Sequence, residues 1–485
     1  MLKKLLPDEV DLPELVVRGI SGDSRKLKQG DLFVAVPGLS VDGREFIGEA
    51  DKKQAAAALC EPPAPALDTS MPVIEIVNLK SRTGDIASRY YGEPSGQLVV
   101  VAITGTNGKT SCSHFIAGAL SSLGLKCGVI GTLGYGVPGD LNESFMTTPD
   151  AIDLQDHLAY LVNETCRAVA LEASSHGLQQ GRLNGTLVDT AIFTNITRDH
   201  LDYHESFEDY QDCKKLLFTW KGLKTAIINI DDEFGVVLRK TVSNSINKDV
   251  VVYTTSTHNR QADVHCRNIS LDQNGMSFEL VSPWGEAAIA SPLMGEFNIS
   301  NLATTAALLG SLGYDLKAIV WALSNVEAVK GRMEVLRHVN QPTVVIDYAH
   351  TPDALAKALL ATKQHCKGEL WCVFGCGGDR DKGKRPEMGE IASRLAAHTM
   401  ITDDNPRSES SVSIVDDILP GVISGSDVKV ETNRRLAIRK VLMSAGSGDV
   451  VLIAGKGHEQ YQEVMGEKLA FSDHEVVDEF VGRSE

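Results

Sequence analysis

The chain has 485 residues, which is more than one hydrophobic core accommodates and favours roughly two to four domains. Hydrophobic residues make up 43% and charged residues 23%, as is typical of globular proteins, so a fibrous or disordered chain is excluded. The net charge of −17 argues against a nucleic-acid-binding surface, which needs a basic stripe.

Membrane and disulfide signals are also missing from the sequence. No apolar run reaches the length of about 18 residues that a membrane span requires. Acidic residues soon follow Lys3 and Lys4, so no signal-peptide core forms. The nine cysteines include no C-x-x-C pair, and Cys366, Cys372 and Cys376 lack the spacing of a zinc site. We therefore expect buried, reduced thiols in a cytoplasmic protein.

Residues 1–95 are predicted to form a small α/β domain. Residues 31–36 have the pattern of a strand, and the Ala-rich residues 46–59 have that of a helix. The polar loop 22–25 indicates a turn, with a functional loop as the alternative. Residues 91–97 have the composition of a linker, so we place a domain boundary there.

A phosphate-binding loop is predicted next. The β-branched run 99–103 indicates a buried strand, a glycine-rich turn follows at 105–108, and a helical pattern begins near Ser111. Lys109 can reach the β- and γ-phosphates of a nucleotide, and Thr110 can offer its hydroxyl to Mg²⁺. The general motif has glycine where this chain has Ile103, so the loop is a shortened variant. The alternative is a strand–helix turn with a surface lysine.

The middle region alternates strands and helices, which predicts a parallel sheet covered on both faces. The predicted strands are 127–130, 168–171, 190–193 and 225–229, with helices at 152–162 and 207–218. Polar clusters lie at 147–150, 172–177 and 194–204, and ligands gather at the carboxyl ends of such strands. Glu172 is a natural Mg²⁺ ligand there, whereas cluster 147–150 is equally compatible with a helix cap. By pattern alone, Lys214 and Lys215 lie on a solvated helix face.

A β-rich patch at 250–289 and a helix at 295–308 follow. Asn298 lies near the start of this helix and is either a functional residue or a simple helix cap. We place a second boundary at residues 331–332. Beyond it, strands at 343–347, 370–374, 399–402 and 450–453 alternate with helices at 352–363, 386–396, 412–419 and 434–444. This pattern predicts a second doubly wound domain. Polar motifs again follow its strands, without a second Lys-Thr loop, which favours an organic substrate over a second nucleotide.

Two ligand-binding edges suggest that ATP drives a joining reaction. Thr110, Glu172 and His200 have the side chains to hold Mg²⁺. Arginine and aspartate in the last domain suit a substrate with both carboxylate and ammonium groups. The residues alone thus indicate an ATP-dependent ligase or kinase that acts on an amino-acid-like molecule.

The chain resembles the Mur ligase family over essentially its whole length. The similarity rests on nine ordered motifs: TGTNGKTS, EASSHGL, TNITRDHLDYH, GEFNISN, GRME, DYAHTPD, GDRDKGKRP, DDNPR and AGKGHE. The shortened phosphate loop is the form found in this family. The resemblance implies a three-domain α/β fold: a UDP-substrate-binding domain at 1–95, a central P-loop-type ATP-binding domain with a mostly parallel sheet at 96–331, and a C-terminal Rossmann-like amino-acid-binding domain at 332–485.

The resemblance also implies a reaction. ATP would phosphorylate the γ-carboxylate of D-Glu in UDP-N-acetylmuramoyl-L-Ala-D-Glu, and the amine of meso-diaminopimelate would attack the acyl phosphate. This step belongs to peptidoglycan precursor synthesis, and with it to cell shape and division. We expect a cytoplasmic monomer with ATP and Mg²⁺ as cofactors and without nucleic-acid or membrane partners.

The site residues implied by the resemblance fall into three groups. ATP would be bound by Gly105, Thr106, Asn107, Gly108, Lys109, Thr110, Ser111, Asn298, Arg332 and Asp347. Mg²⁺ would be held by Thr110, Glu172, His200 and Lys214, the last as an N-carbamate, with Lys109, Lys214 and His200 as catalytic residues. The UDP portion would contact Ser24, Leu39, Ser40 and Val41, and the muramoyl dipeptide Thr147, Thr148, Ser174, Gln180 and Arg182.

The amino acid would lie among Arg380, Asp404, Asn405, Pro406, Arg407, Gly455 and Glu459. Arg407 would bind the distal carboxylate of diaminopimelate, which lysine lacks. Two alternatives remain at this point: a folylpolyglutamate synthetase, or a P-loop nucleotide-binding module without ligase chemistry.

Overall fold

The computed structural model describes residues 1–38, 41–199, 203–243 and 249–482. The chain divides into two compact units. The first contains residues 1–263 and 307–312, and the second contains residues 264–306 and 313–485. Every helix in the described ranges is too short or too polar to cross a membrane.

The first module of the chain is a four-stranded parallel sheet with the order β1-β2-β3-β4. Its elements are α1 Leu2–Leu5, β1 Gly19–Ser21, β2 Asp31–Ala35, α2 Ile47–Lys52, β3 Ala57–Cys60, β4 Val73–Glu75 and α3 Leu79–Tyr90. The predicted helix 46–59 is wrong in its second half. Gln54 adopts a positive φ of 58°, which ends the helix, and the small apolar residues of β3 are buried inside the sheet.

The central module of the first unit is built on β5, whose residues 100–103 are fully buried. Its elements are β5 Val99–Thr104, α4 Lys109–Ser122, β6 Cys127–Gly131, β7 Gly134–Val137, β8 Asp140–Asn142, α5 Ala151–Asn163, β9 Ala168–Glu172, α6 Ser175–Gln179, β10 Thr190–Phe193, α7 Phe207–Lys215, β11 Thr225–Asn229, α8 Glu233–Ser243 and β12 Val251–Ser256. The strand order is β12-β11-β10-β5-β9-β6-β7-β8, parallel from β12 to β6. The four strands predicted here are confirmed.

The first and central modules meet through backbone at two glycines. A Cβ on Gly84 of α3 would lie 1.8 Å from the carbonyl oxygen of Asn184, and a Cβ on Gly185 would lie 2.3 Å from the carbonyl of Gly84. The Asn184 amide also donates to the carbonyl of Ser81 at 3.0 Å. Only glycine therefore fits at these two positions.

The second unit begins with the antiparallel strands β13 Val264–Asp272, β14 Gly275–Ser282 and β15 Gly285–Ser291. They are followed by α9 Glu296–Ser311, whose last turn is assigned to the first unit, and by α10 Leu316–Ser324. A six-stranded sheet follows with the order β16-β17-β21-β18-β19-β20, parallel except for β16. The elements from residue 334 onwards are β16 Glu334–Leu336, β17 Thr343–Asp347, α11 Pro352–His365, β18 Leu370–Phe374, α12 Lys384–Leu395, β19 His398–Ile401, α13 Ser411–Ile418, β20 Asp427–Val430, α14 Arg434–Ser444, β21 Val450–Ala454, β22 Tyr461–Val464, β23 Glu467–Ala470 and α15 Asp473–Val481. β22 and β23 form a separate antiparallel pair. The predicted doubly wound arrangement is confirmed.

Candidate functional site

The polar clusters of the central module lie at the carboxyl ends of three neighbouring strands. β10, β5 and β9 are adjacent in the sheet, and they lead into Thr194, Gly105 and Glu172 respectively. This is the edge at which ligands of parallel sheets bind. The structure therefore brings together residues that lie almost 100 positions apart in sequence.

Two glycines shape the phosphate loop between β5 and α4. Gly105 has a φ of 154°, and a Cβ there would lie 2.0 Å from the Thr194 hydroxyl oxygen. Gly108 has a φ of 87° and is the N-cap residue of α4. The loop is tied to the strand beside it, because Asn195 accepts hydrogen bonds from the backbone N–H groups of Thr106 and Asn107 at 2.8 and 3.0 Å. The amides at the start of α4 are thus pre-organised for an anion.

Two lysines converge on the Gly105 carbonyl oxygen. Lys109 Nζ donates to it at 2.9 Å, and Lys214 Nζ donates to it at 3.0 Å. Lys214 is only 1% exposed, and its ammonium lies 4.3 Å from the centre of the Tyr210 ring. Burial, followed by repulsion from Lys109, lowers the pKa of Lys214 well below its ordinary value. The solvated position that the helical pattern predicts for this lysine is therefore wrong, whereas Lys215 is partly exposed beside Asp212.

The Glu172 carboxylate is held by hydroxyl and amide donors at the same edge. Thr110 and Thr132 donate hydroxyl hydrogen bonds to Oε2 at 3.1 and 3.0 Å, and the Thr132 backbone N–H donates to Oε1 at 3.0 Å. Glu172 is 1% exposed. A buried carboxylate beside a threonine hydroxyl is an all-oxygen donor set, which fits the preference of Mg²⁺.

The predicted muramoyl-binding residues form one hydrogen-bonded group beside Glu172. Thr148 Oγ1 lies 2.9 Å from Ser174 Oγ and donates to the Glu172 carbonyl, and Thr147 Oγ1 lies 3.1 Å from Thr132 Oγ1. Asp150, rather than either threonine, caps α5 by accepting from two backbone N–H groups. The capping alternative therefore explains Asp150 and neither threonine, and Thr148 is fully buried with its hydroxyl hydrogen-bonded to Glu172 and Ser174.

Gln180 and Arg182 extend this group. The Arg182 guanidinium donates to the Thr148 carbonyl at 2.6 Å and to Gln180 Oε1 at 2.7 Å, and Gln180 in turn donates to the Tyr203 hydroxyl at 2.9 Å. Burial lowers the pKa of Arg182. This partly desolvated cation suits a carboxylate-bearing ligand.

Of the predicted UDP-binding residues, Ser24 is buried and donates to Glu49 Oε2 at 2.9 Å. It begins a short 3₁₀ helix that Asp23 caps, so the loop is an ordered turn. Val41 is exposed. Leu39, Ser40 and the predicted metal ligand His200 lie outside the described residues.

In the second unit, the predicted ATP-binding residues Arg332 and Asp347 are near neighbours. Asp347 ends β17 and accepts from the backbone N–H groups of Met333 and Ala349, both at 2.8 Å. Burial raises its pKa, and Arg332 partly offsets this effect. The Arg332 guanidinium lies 4.7 Å from the Tyr348 ring centre, and within the described ranges its buried Nε has no hydrogen-bond partner. Asn298 is buried in the first turn of α9 and donates to the Met294 carbonyl at 2.8 Å, so it does not act as a cap.

The predicted amino-acid pocket is organised by Asn405. Its Oδ1 accepts from Lys456 Nζ and from the Glu463 backbone N–H, both at 3.0 Å, and its Nδ2 donates to Glu459 Oε2 at 3.0 Å. Lys456 is fully buried and also donates to Glu459 at 2.9 Å. Glu459 is therefore fixed by two buried partners.

Arg407 lies beside this network with an unusual backbone φ of 52°. Its Nε donates to Glu463 Oε2 at 3.0 Å, and its Nη1 donates to the Gly378 carbonyl at 2.8 Å. Asp404 and Pro406 are buried on either side of Asn405, and a Cβ on Gly455 would lie 2.4 Å from Asp404 Oδ2. Arg380 is exposed, and its stem lies near Gly377.

Three supporting residues were not predicted from the sequence. Thr132, Tyr210 and Lys456 contact Glu172, Lys214 and Asn405 respectively. Lys456 lies within the AGKGHE motif and could have been selected on that ground. The other two carry no local signal, because a single threonine or tyrosine gains its role only from the tertiary fold.

Comparison with known proteins gives consistent results along the chain. Three family models match, described as "Mur ligase family, catalytic domain" at residues 16–91, "Mur ligase middle domain" at 103–309 and "Mur ligase, glutamate ligase domain" at 331–457. A Coxiella burnetii protein named UDP-N-acetylmuramoyl-L-alanyl-D-glutamate--2,6-diaminopimelate ligase is 44% identical over 466 residues, with 95% of each chain covered.

Solved structures agree with this result. A structure of a UDP-N-acetylmuramoyl-L-alanyl-D-glutamate--2,6-diaminopimelate ligase has a TM-score of 0.77 and 37% identity, and covers 100% of this chain and 99% of its own. A MurF ligase from Thermotoga maritima in complex with ADP has a TM-score of 0.63 and 18% identity, with 97% and 99% covered, so it shares the fold.

Proposed function

The chain belongs to the Mur ligase family, and on this premise we propose that it adds meso-diaminopimelate to UDP-N-acetylmuramoyl-L-Ala-D-Glu. ATP phosphorylates the D-Glu γ-carboxylate, the diaminopimelate amine attacks the acyl phosphate, and phosphate leaves as the amide forms. The main support for this proposal is the 44% identity over 95% of the chain to a relative named for this reaction. Such a step supplies peptidoglycan precursors and supports cell shape and division.

The nucleotide side of the reaction is assigned to the phosphate loop. Residues 105–111 present backbone N–H groups and Lys109 to the phosphates, while Asn298, Arg332 and Asp347 serve the adenosine end. Stabilisation of the transferring phosphoryl group depends mainly on such positioned charges. Among the described residues the buried Nε of Arg332 has no hydrogen-bond partner, so it is a donor that suits an anionic ligand.

Mg²⁺ is assigned to Thr110 and Glu172, with His200 completing the set. The oxygen donors around Glu172 are of the type that Mg²⁺ prefers, so the described residues fit the ion. When bound, Mg²⁺ neutralises phosphate charge. The chain's own contribution is to hold the carboxylate in place through Thr132.

Lys214 is proposed to carry an N-carbamate. Carbamylation requires a neutral amine, and the buried position beside Lys109 favours the neutral form. The product is an anion, which would replace the unfavourable contact between two cations with an attractive one. It would also add an oxygen ligand for a metal ion.

The remaining substrate contacts follow the three-domain division at residues 95–96 and 331–332. Ser24, Leu39, Ser40 and Val41 serve the UDP portion. Thr147, Thr148, Ser174, Gln180 and Arg182 serve the muramoyl dipeptide. Diaminopimelate is bound by Arg380, Asp404, Asn405, Pro406, Arg407, Gly455 and Glu459, with Arg407 on the distal carboxylate. We propose that the enzyme is a monomer and that it acts in the cytoplasm, where UDP-linked precursors are made.

The test is phosphate release with ATP, Mg²⁺ and UDP-N-acetylmuramoyl-L-Ala-D-Glu, comparing meso-diaminopimelate with L-lysine. We expect turnover with diaminopimelate alone. Preference for lysine would contradict the assignment of Arg407, and turnover only with a folate and glutamate would favour a folylpolyglutamate synthetase instead. ATP hydrolysis that is independent of any amino acid would favour a simple nucleotide-binding module.

A further inference from the structure

Three side chains with different chemistry form a compact group at the start of α7. His204 Nδ1 lies 3.2 Å from Asp209 Oδ2 and 3.8 Å from Cys213 Sγ, and Cys213 Sγ lies 3.9 Å from Asp209 Oδ1. The potential ligand atoms all lie within 4.8 Å of one another. Asp209 and Cys213 are four residues apart on the helix, so they share one face.

These separations are those of a tetrahedral cation site. Bonds of about 2.0 Å to nitrogen and oxygen and about 2.3 Å to sulfur place ligand atoms roughly 3.3 to 3.7 Å apart. The His204–Asp209 and His204–Cys213 distances need to change by only a few tenths of an ångström. His204 and Cys213 contact different oxygens of Asp209, so its carboxylate must rotate to offer one oxygen to the ion. Imidazole, carboxylate and thiolate together suit a borderline-soft ion, whereas Mg²⁺ prefers oxygen alone.

The surroundings of His204 support the same conclusion. Its side chain is fully buried, and its Nε2 lies 2.9 Å from Ser175 Oγ. That contact holds the ring so that Nδ1 faces Asp209 and Cys213, which is how second-sphere partners orient metal-binding histidines. Asp209 is about one-third exposed, so an ion and a water ligand can enter from its side.

We propose that His204, Asp209 and Cys213 form a binding site for a borderline-soft divalent cation, with Zn²⁺ as the best match. The site is separate from the Mg²⁺ ligands assigned above, although Cys213 directly precedes Lys214. The proposal does not depend on the ligase activity, because metal binding itself is the measurement.

The experiment uses the full-length, metal-free protein in excess Mg²⁺. Co²⁺ is added first, and we expect a thiolate-to-cobalt charge-transfer band together with tetrahedral d–d bands. Zn²⁺ is then measured by competition with a chromophoric chelator, and we expect it to bind and to displace Co²⁺. Absence of the charge-transfer band in the wild-type protein would overturn the proposal.

Variants separate this site from other metal-binding positions. Cys213→Ser should abolish the charge-transfer band and weaken Zn²⁺ binding by about 100-fold or more, and Asp209→Asn should weaken it while keeping the band. Ser175→Ala should weaken binding roughly 10- to 100-fold with the band retained. Cys366→Ser, which removes a partly exposed thiol elsewhere, should change neither. Wild-type Zn²⁺ affinity in Cys213→Ser or in Asp209→Asn would refute the site, and thermal unfolding of each variant verifies that it is folded.

Discussion

Lys109 and Lys214 share one hydrogen-bond acceptor, because both Nζ atoms lie within 3.0 Å of the Gly105 carbonyl oxygen. Two ammonium groups that donate to the same oxygen repel each other. Burial and this repulsion lower the pKa of Lys214, so it loses its charge readily. Lys109 at the start of α4 and Lys214 on α7 thus meet at one oxygen of the phosphate loop, which fits the separate roles proposed for them.

Lys214→Ala should therefore lower turnover by roughly 100-fold or more, since it removes the proposed carbamate anion. Wild-type protein in ¹³C-labelled bicarbonate should show a carbamate NMR signal that the variant lacks. Lys215→Ala is the matched control, because this neighbour is partly exposed, and it should keep both the signal and the activity. Full activity of Lys214→Ala would contradict the carbamate assignment.

Glu172→Gln should raise the Mg²⁺ concentration needed for half-maximal turnover by roughly 10- to 100-fold. Glutamine keeps the size of the side chain, and its single amide oxygen can still accept from the Thr110 and Thr132 hydroxyls. Its NH₂ group cannot accept from the Thr132 backbone N–H, and the side chain lacks the negative charge that attracts the ion. Turnover measured against Mg²⁺ concentration provides the test. Glu164→Gln, at the exposed end of α5, is the control and should leave the dependence of turnover on Mg²⁺ unchanged. An unchanged dependence in Glu172→Gln would show that Glu172 is not a ligand of the ion.

Arg407→Ala should weaken the use of diaminopimelate severely and leave ADP binding intact. Sites built around a charged substrate group discriminate against analogues that lack it by roughly 10⁴-fold, and this discrimination should collapse in the variant. The kcat/KM ratio for diaminopimelate over lysine is the measurement. Arg394→Ala, which removes an exposed arginine paired with Glu390 on α12, should preserve the ratio.

His157 should make the first unit less stable in acid. It is stacked on Tyr135 with ring centres 3.5 Å apart, and burial lowers its pKa to about 4. Between its unfolded pKa of about 6.5 and a pH of about 4, the unfolded chain binds this proton and the folded chain does not. Stability should therefore fall as the pH decreases through this window. His157→Phe keeps the stacking, and its free energy of unfolding should fall less steeply over the same range in urea titrations.

Gly105→Ala should abolish nucleotide binding, because the added Cβ would overlap the Thr194 hydroxyl and distort the loop. ADP binding by calorimetry is the measurement. Gly118→Ala is the control within α4: in the part of the chain that the structure describes, no atom lies within 4 Å of its Cβ position, and alanine favours a helix. It should bind ADP normally and unfold at a slightly higher temperature.

Most parallel strands of the central and six-stranded sheets could be predicted because they are short apolar runs followed by polar motifs, whereas the largely exposed strand Asp427–Val430 was not predicted. The helix predicted at 46–59 shows where this approach fails, since Ala57–Cys60 has helix-forming residues that tertiary burial turns into a strand. Lys214 shows a second limit. Its helical pattern predicts a solvated side chain, and only packing against Tyr210 and the Gly105 loop makes it buried.

The proximity of Glu172 to the phosphate loop could be predicted from the sequence, but the hydrogen bonds that support these residues could not. Glu172 and the phosphate loop follow adjacent strands, so their proximity is a consequence of the topology. The contacts of Thr132 with Glu172 and of Lys456 with Asn405 depend on side-chain positions that no spacing rule defines. Hydrogen-bond partners from distant segments therefore require the structure.

The backbone contact at Gly84 and Gly185 has a consequence for domain exchange. Because hydrogen is the only side chain that fits on either glycine, α3 and the loop after α6 match each other as a pair. A chimera that takes the first 95 residues from a relative contains the relative's residue at the position of Gly84. That residue must fit against Gly185 and Asn184 of this chain. Recombination between such proteins is therefore constrained by backbone shape at this contact, independently of which substrates the exchanged segments bind.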